Sequence, residues 1–284
     1  MENEEKNKNE KFNFLIEKQK QLQTSTFNDE NTLKETEASV VLLQEEKLRE
    51  EEHLKKLEEE VSVSNAIYAH PAIKADFARW NAQLLMSSPM PQYNLVGRGD
   101  PRDTLASMAG MRVRATGGLG DAFSTVGAVP TSVTSAEAYN AMESGVVDTV
   151  AFAPHAHLSF RTIDQATWWT ENLNPGTVNC PVVMNIDAYN ALSAEERAAL
   201  DGSVDEAIAY YIDFYNNQTM TKWAATLEEK NVAKVNFTDE QIAEFRDKAA
   251  APVREAWIAK MDSAGIPGKE LYDIVVSTLA ETRK

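Results

Sequence analysis

The stretch Gly110-Met-Arg-Val-Arg-Ala-Thr-Gly-Gly-Leu-Gly-Asp-Ala-Phe123 decides the architecture. Met111–Ala115 reads as a strand; it enters a turn at Gly117, Gly118 and Gly120, and a helix from Asp121 to Val126 stops at Gly127, a natural left-handed cap. Ala128–Val133 is the next extended run. Thr134 with Glu137 three residues on forms a capping box for a helix over Ala136–Glu143, and Gly145 ends it before the apolar strand Val146–Phe152. Strand, helix, strand, helix, strand is the order of an α/β sheet rather than of a helical bundle.

The pattern continues toward the carboxyl terminus. A strand over Cys180–Asn185 precedes a second capping box, Ser193 with Glu196, and a helix that can run from Ala194 to about Lys230 without an internal proline. Ile208, Tyr211, Ile212, Tyr215 and Met220 fall near one face of it, which predicts that this part lies against a body. Thr238 with Gln241 caps a further helix. Gly265, Pro267 and Gly268 then break the chain before a last helix over Lys269–Glu281.

Toward the amino terminus the composition changes. The first proline is Pro71 and the first glycine Gly97, and residues 1–60 hold 17 acidic and 10 basic side chains. A seven-residue spacing runs through Leu33, Val40, Leu54 and Val61, with Leu43 and Leu57 at the alternate seam positions; Lys47 and Glu50 interrupt it. The spacing admits two readings, a helix that dimerises as a coiled coil and a solvated Glu/Lys-rich helix. A homodimer through this helix follows from the first. Residues 1–30 have the composition of a disordered segment. A linker is expected near Ser62–Ala69, which divides the chain into an acidic extension, 1–64, and a globular region, 68–284.

The charge limits the partners. With 44 acidic against 28 basic residues the chain carries a formal charge of -16, so phosphate backbones and anionic lipids are repelled and no nucleic acid is expected as partner. An anion bound by such a chain must be held by a local arrangement of donors. The single cysteine, Cys180, and the four histidines show no zinc spacing, so no metal site and no cofactor is expected. No run approaches the ~20 apolar residues of a membrane span, and Met-Glu-Asn-Glu-Glu-Lys lacks the apolar core of a signal peptide.

Arg114 is the sharpest candidate for a binding residue. Alternation places Arg112 and Arg114 on one side of the strand, Arg114 nearer its carboxyl end, beyond which open α/β sheets bind ligands. A guanidinium presents a planar fork to a carboxylate. The competing reading is a surface arginine paired with an acid, and Arg112 is read as such a surface residue. The glycine loop is read as a tight turn, because it matches neither dinucleotide nor P-loop spacing. His155 and His157 follow Pro154 in an expected loop, without a third ligand in view, and are read as structural. Of the neighbouring Trp168 and Trp169, one can line an apolar ligand wall while the other packs inside, or both can be core. No nucleophile motif or carboxylate pair stands out, which argues against an enzyme.

At GMRVRATGGLGDAF (110–123), GAVPTSVTSAEAYNAMESGVVDTVAF (127–152) and NPGTVNCPVVMN (174–185), the sequence resembles the DctP family of solute receptors of tripartite ATP-independent periplasmic (TRAP) transporters. The resemblance runs from about His70 to the carboxyl terminus. It implies a periplasmic-binding-protein-like α/β fold of two lobes with a long connecting helix, here preceded by a charged helical or coiled-coil extension that replaces part of the first lobe. It implies Arg114 as the clamp for a ligand carboxylate, delivery of a small organic acid to TRAP membrane permease subunits, and a periplasmic location. Tyr93, Asn94, Ser135 and Asn179 lie in segments that face the cleft in the family. Phe152 stands where many relatives place an asparagine, which implies a less polar ligand body. Dicarboxylates, 2-oxo acids and sugar acids all remain open as ligands. The replaced front also raises the expectation of a truncated or fused, inactive form, and the alternative is a coiled-coil interaction protein carrying a passenger α/β domain.

Overall fold

The computed structural model describes residues 56–283. The compact body extends over Leu57–Lys284. Its centre is a six-stranded mixed sheet in the order β4-β3-β5-β2-β6-β8. The strands are β2 (Asn94–Gly97), β3 (Arg112–Arg114), β4 (Val129–Thr131), β5 (Thr149–Phe152), β6 (Trp168–Thr170) and β8 (Ala233–Val235). β3 runs parallel to β4 and β5, as the strand–helix–strand order requires, and β6 runs parallel to β8. Between these two parallel groups β2 is inserted antiparallel to both β5 and β6. A separate antiparallel pair joins β1 (Ala82–Met86) to β7 (Val182–Asn185), with a bulge between Leu84 and Met86.

Most local punctuation forms as expected. The helix Gly118–Thr125 starts three residues before the expected Asp121, so Gly118 and Gly120 lie inside it and Gly117, at φ 56°, makes the entry turn; Gly127 and Gly145 take positive φ behind their helices as expected. Ser193/Glu196 and Thr238/Gln241 make full reciprocal capping boxes. At Thr134 the hydroxyl is spent on the Glu137 carboxylate, 2.7 Å away, rather than on an amide, and the helix starts at Ala138, two residues later than expected. The expected loop after Pro154 is instead the helix Pro154–Ser159. Proline at its first turn needs no hydrogen-bond partner for a missing N–H and is already set at a helical φ.

The expected linker over Ser62–Ala69 is also helical, within a helix that covers residues 56–69 of the described chain. It is held by long-range polar contacts: Arg283 donates to Glu59 through both Nε (3.0 Å) and Nη2 (2.8 Å), Ser64 and Tyr68 bind Asn179, and Ser87 binds Asn65. Of the seven-residue seam, Leu57 is buried and Val61 half-buried, while Leu33, Val40, Leu43 and Leu54 lie outside the described residues.

The long helix expected from Ala194 is real but not uniform. It is α-helical over Ala194–Phe214, widens into a π-turn at Tyr215–Thr219 and resumes over Met220–Glu229. None of the first 21 residues is buried; the chain becomes buried at Tyr215, Trp223 and Leu227. The extra residue of a π-turn shifts the helical register, so Tyr215 and Trp223 both point inward.

The core sits around β2, β3 and β5, with Leu95, Val96, Val113, Val147, Val150 and Ala151 fully enclosed. On β6, Trp168 lies opposite Gly97 of β2, and its indole N–H donates to Arg98 O at 3.3 Å. A Cβ at position 97 would stand 2.1 Å from the indole Cζ2. Gly97→Ala is therefore expected to lower stability by ~1–3 kcal/mol or more, the range for overpacking a well-filled core. The urea midpoint measures it, and an unchanged midpoint would mean that the indole can leave its place freely.

Candidate functional site

Arg114 ends β3 between β4 and β5, and only 8% of it is exposed. Its Nε donates to Val133 O at 3.1 Å and its Nη2 to Ser135 Oγ at 3.3 Å, so the loop after β4 fixes the plane of the guanidinium. The guanidinium carbon stands 4.4 Å from the centre of the Phe152 ring, a cation–π contact. No carboxylate among the described residues forms an ion pair with it. Burial pushes its pKa down, against a smaller upward influence of the Tyr93 phenol. Nη1 and the second proton of Nη2 are left as donors toward whatever occupies the site.

Arg112, two residues earlier on the same side, shows the contrast. It is exposed, and Asp148 takes its Nε at 3.0 Å together with Nη2, so its charge is neutralised at the surface. This pairing holds the Asp148 carboxyl below its usual range.

Phe152 ends β5 and gathers an aromatic group around Arg114. Its ring meets Tyr93 edge-on at 6.4 Å, His157 at 5.6 Å and Phe160 at 5.6 Å. His157 is wholly buried; its Nδ1 pairs with Thr162 Oγ1 at 2.7 Å, its Nε2 with Asn94 O at 3.2 Å, and its ring stacks on Trp223. Burial pushes its pKa down to about 3, so it stays neutral.

Arg114, Phe152, Tyr93 and Ser135 are thus brought together. Asn94 lies on the same face of the sheet as Phe152, by the register Asn94↔Phe152, but its amide Nδ2 is committed to Thr170 O at 2.8 Å. Asn179 is tied to the helix 56–69, accepting from the Tyr68 hydroxyl at 2.8 Å. Trp168 is elsewhere. In the ladder Val113↔Thr149↔Gly97↔Trp168 it shares the face opposite to Arg114, because side chains alternate along a strand, and it is 1% exposed. It is Trp169, in the row of Arg114, Val150 and Val96, that faces the aromatic group and meets Trp223 edge-on.

Several residues of the site escape sequence reasoning. Tyr68 and Glu60 come from a segment read as extension and linker; burial raises the pKa of the Tyr68 and Tyr211 phenols, and Glu60 and Cys180 add smaller upward influences on both. Tyr211 and Tyr215, four apart on the long helix, are 6.1 Å between ring centres; the four-residue spacing of two tyrosines was the one visible signal.

Glu60 accepts from the Met90 N–H at 3.1 Å, yet burial raises its pKa from 4.5 to about 7, the larger of the two influences. In the unfolded chain it is charged above pH ~4.5, whereas in the folded protein it keeps its proton to about 7. Its contribution is full below the unfolded value and is lost as pH rises through the folded one. Glu60→Gln retains the acceptor for Met90 and cannot charge, so its melting temperature relative to the parent is expected to rise between pH ~4.5 and 7 and then level off. Parallel melting curves across that window would show that Glu60 is solvated.

Residues 94–260 match the DctP family, described as bacterial extracellular solute-binding protein, family 7. The outer membrane transporter protein TsaT of Comamonas testosteroni is 25% identical over 206 residues, which cover 71% of this chain and 60% of TsaT; the chain thus spans less than two thirds of that curated relative. Among solved structures, a TRAP solute-binding protein of Rhodoferax ferrireducens T118 in complex with copurified benzoate superposes with a TM-score of 0.69 at 18% identity, covering 79% of this chain and 70% of that one. A marine metagenome TRAP solute-binding protein specific for aromatic acid ligands gives 0.68 at 16% identity, covering 82% and 77%. One from Roseobacter denitrificans with bound β-D-glucuronate gives 0.62 at 23% identity, covering 76% and 75%. These likenesses show the fold of the two-lobe TRAP receptors. The family match over more than half of the residues places the chain, plainly, in the DctP family of bacterial extracellular solute-binding proteins.

Proposed function

We propose that this chain is the solute receptor of a TRAP transporter, which captures a small organic acid by its carboxylate in the periplasm and delivers it to the membrane permease. The observation that carries the reading is Arg114: a cation, 8% exposed, without a carboxylate partner among the described residues of a chain with 44 acids. A buried charge is normally paired, and leaving one unpaired is costly. A ligand carboxylate supplies the missing charge, and the Val133 and Ser135 contacts hold the fork ready for it. Family membership supports a receptor rather than an enzyme. The acids named for the structural neighbours all carry a carboxylate, which supports that class of ligand without choosing among its members.

The test is a thermal-shift screen of the purified full chain against organic acids. A ligand at a hundred times its dissociation constant should stabilise the fold by ~2.7 kcal/mol. A cooperative transition that moves upward with one or a few carboxylates is the expected result. A transition indifferent to every acid in the panel would defeat the receptor reading.

A further inference from the structure

Within the described residues, the small pair β1–β7 and the six-stranded sheet are joined by three stretches of chain. Residues 87–93 lead from β1 to β2, residues 171–181 lead from β6 to β7, and the long helix lies on the way from β7 to β8. The first two crossings are fastened to each other: Tyr93 N–H donates to Gly176 O at 3.0 Å, and Thr177 Oγ1 donates to Met90 O at 2.6 Å. In proteins whose lobes close around a ligand, a few connecting residues absorb the movement. Whatever grips such residues sets how freely the lobes move.

The helix over residues 56–69 grips both crossings. Toward the first, Glu60 accepts from Met90 N–H at 3.1 Å and Asn65 accepts from the Ser87 hydroxyl. Toward the second, Asn179 accepts from Tyr68 Oη at 2.8 Å and donates to Ser64 Oγ. Arg283 holds the same helix through Glu59. The third stretch passes close by: Glu60 acts on the Tyr211 phenol of the long helix as well as on Tyr68, and Cys180 of the second crossing acts on the same two phenols. A helix bonded to both crossings cannot follow a bend in either without breaking some of these contacts. Tyr93 ends the first crossing with its ring against Phe152, so the grip extends to the site.

Of these contacts, the one at Glu60 can be switched. Its side chain is half-buried, no basic side chain among the described residues pairs with it, and its titratable neighbours Tyr68, Tyr211 and Cys180 bring no positive charge. While docked it keeps its proton to about pH 7 because of burial, whereas a released helix returns it to the ordinary 4.5. Docking is therefore favoured at low pH and weakens as pH rises through 7. Between pH ~6 and ~8 the ratio of docked to released helix falls about tenfold.

We infer that helix 56–69 is a proton-operated brace on the crossing segments: with Glu60 protonated it holds the Met90–Tyr93 segment, and with it the Tyr93 wall of the site, and with Glu60 ionised it lets go. A wall that is already ordered costs less to order on binding, so an acid ligand is held more tightly below pH 7 than above. That consequence rests on the receptor reading above; the brace itself does not.

Hydrogen exchange of the full chain at pH ~6 and ~8, corrected for the intrinsic pH dependence of amide exchange, reads the brace without any ligand. Protection of the Met90 amide is expected to fall about tenfold across this range in the parent. In Glu60→Gln, which keeps an acceptor for Met90 but cannot ionise, it should stay level. Constant protection in the parent, or an equal fall in both proteins, would overturn the latch. Asn65→Ala loosens the helix at Ser87 without touching Glu60 and should lower Met90 protection at both pH values; parental protection in it would show that the helix does not act as one brace. Isothermal titration with benzoate and β-D-glucuronate, both ionised throughout this range, reads the effect on the site. Affinity of the parent should fall several-fold, at most about tenfold, from the lower pH to the higher, with no such fall in Glu60→Gln. Level or rising parental affinity would refute the link to the site. If neither acid binds at either pH, that link fails together with the receptor reading, and exchange at Met90 alone decides the brace.

Discussion

Arg114→Ala is expected to weaken binding of the acid ligand by about thirtyfold to several thousandfold, to the point where the thermal shift disappears. The ligand carboxylate would enter a site lined by Phe152 and Tyr93 with no counter-charge, and truncating one partner of a buried, hydrogen-bonded charge pair costs ~2–5 kcal/mol. Without ligand the variant should melt close to the parent. It loses the two contacts to Val133 O and Ser135 Oγ, but it also removes a buried cation with no acid beside it. Arg114→Lys separates charge from shape: an ammonium keeps the charge but cannot present a planar fork, so it should recover only part of the affinity. Full ligand binding by Arg114→Ala would mean that the anion is held elsewhere.

Trp223→Ala should cause the largest loss of stability, ~3–5 kcal/mol, as for other buried large aromatics truncated to alanine. The indole is 2% exposed and joins the long helix to the sheet by stacking on His157 at 5.6 Å and meeting Trp169 edge-on at 5.5 Å. Set against a typical total of ~5–15 kcal/mol for a domain, this is a large share. A second consequence concerns pH. His157 is neutral because it is fully enclosed, so its contribution is complete above its unfolded pKa near 6.5 and declines as pH falls toward its folded value of about 3. Hydration of the cavity left by Trp223 should raise the folded value and flatten that decline. Guanidinium unfolding at neutral and mildly acidic pH reads both effects; a loss below ~1 kcal/mol would show that the neighbours close over the gap.

The two variants separate the parts of the site by physical type. Arg114 is a charge held by local contacts, and its removal is felt when ligand arrives. Trp223 is packing, and its removal is felt before. Between them stand Phe152, whose ring lies under Arg114, and His157, which stacks on Trp223; the two rings meet at 5.6 Å.

What the sequence alone determined are the features governed by neighbours within a few residues. Alternation along Arg112, Val113 and Arg114 placed Arg114 at a strand end, the glycines at 117, 127 and 145 marked turns that only positive φ allows, and the boxes Ser193/Glu196 and Thr238/Gln241 started helices. Each depends on a side chain and an amide no more than three positions apart, or on one residue's own backbone freedom. The family resemblance pointed to Arg114, Phe152, Tyr93 and Ser135, which the fold gathers in one place. Only the tertiary structure decided the rest. Pro154 reads as a loop signal from its type, yet it begins a helix because that helix packs on the long one and turns His157 inward. Trp168 and Trp169 are equivalent as letters, and the antiparallel insertion of β2 sets which of them shares the face of Arg114. Glu60 and Tyr68 reach the site across more than a hundred positions of chain to Cys180 and Tyr211, and the pairing of His155 with Tyr215 spans sixty. Such contacts are chosen by how faces of helices and sheets bury one another, a choice that no short window of residues contains.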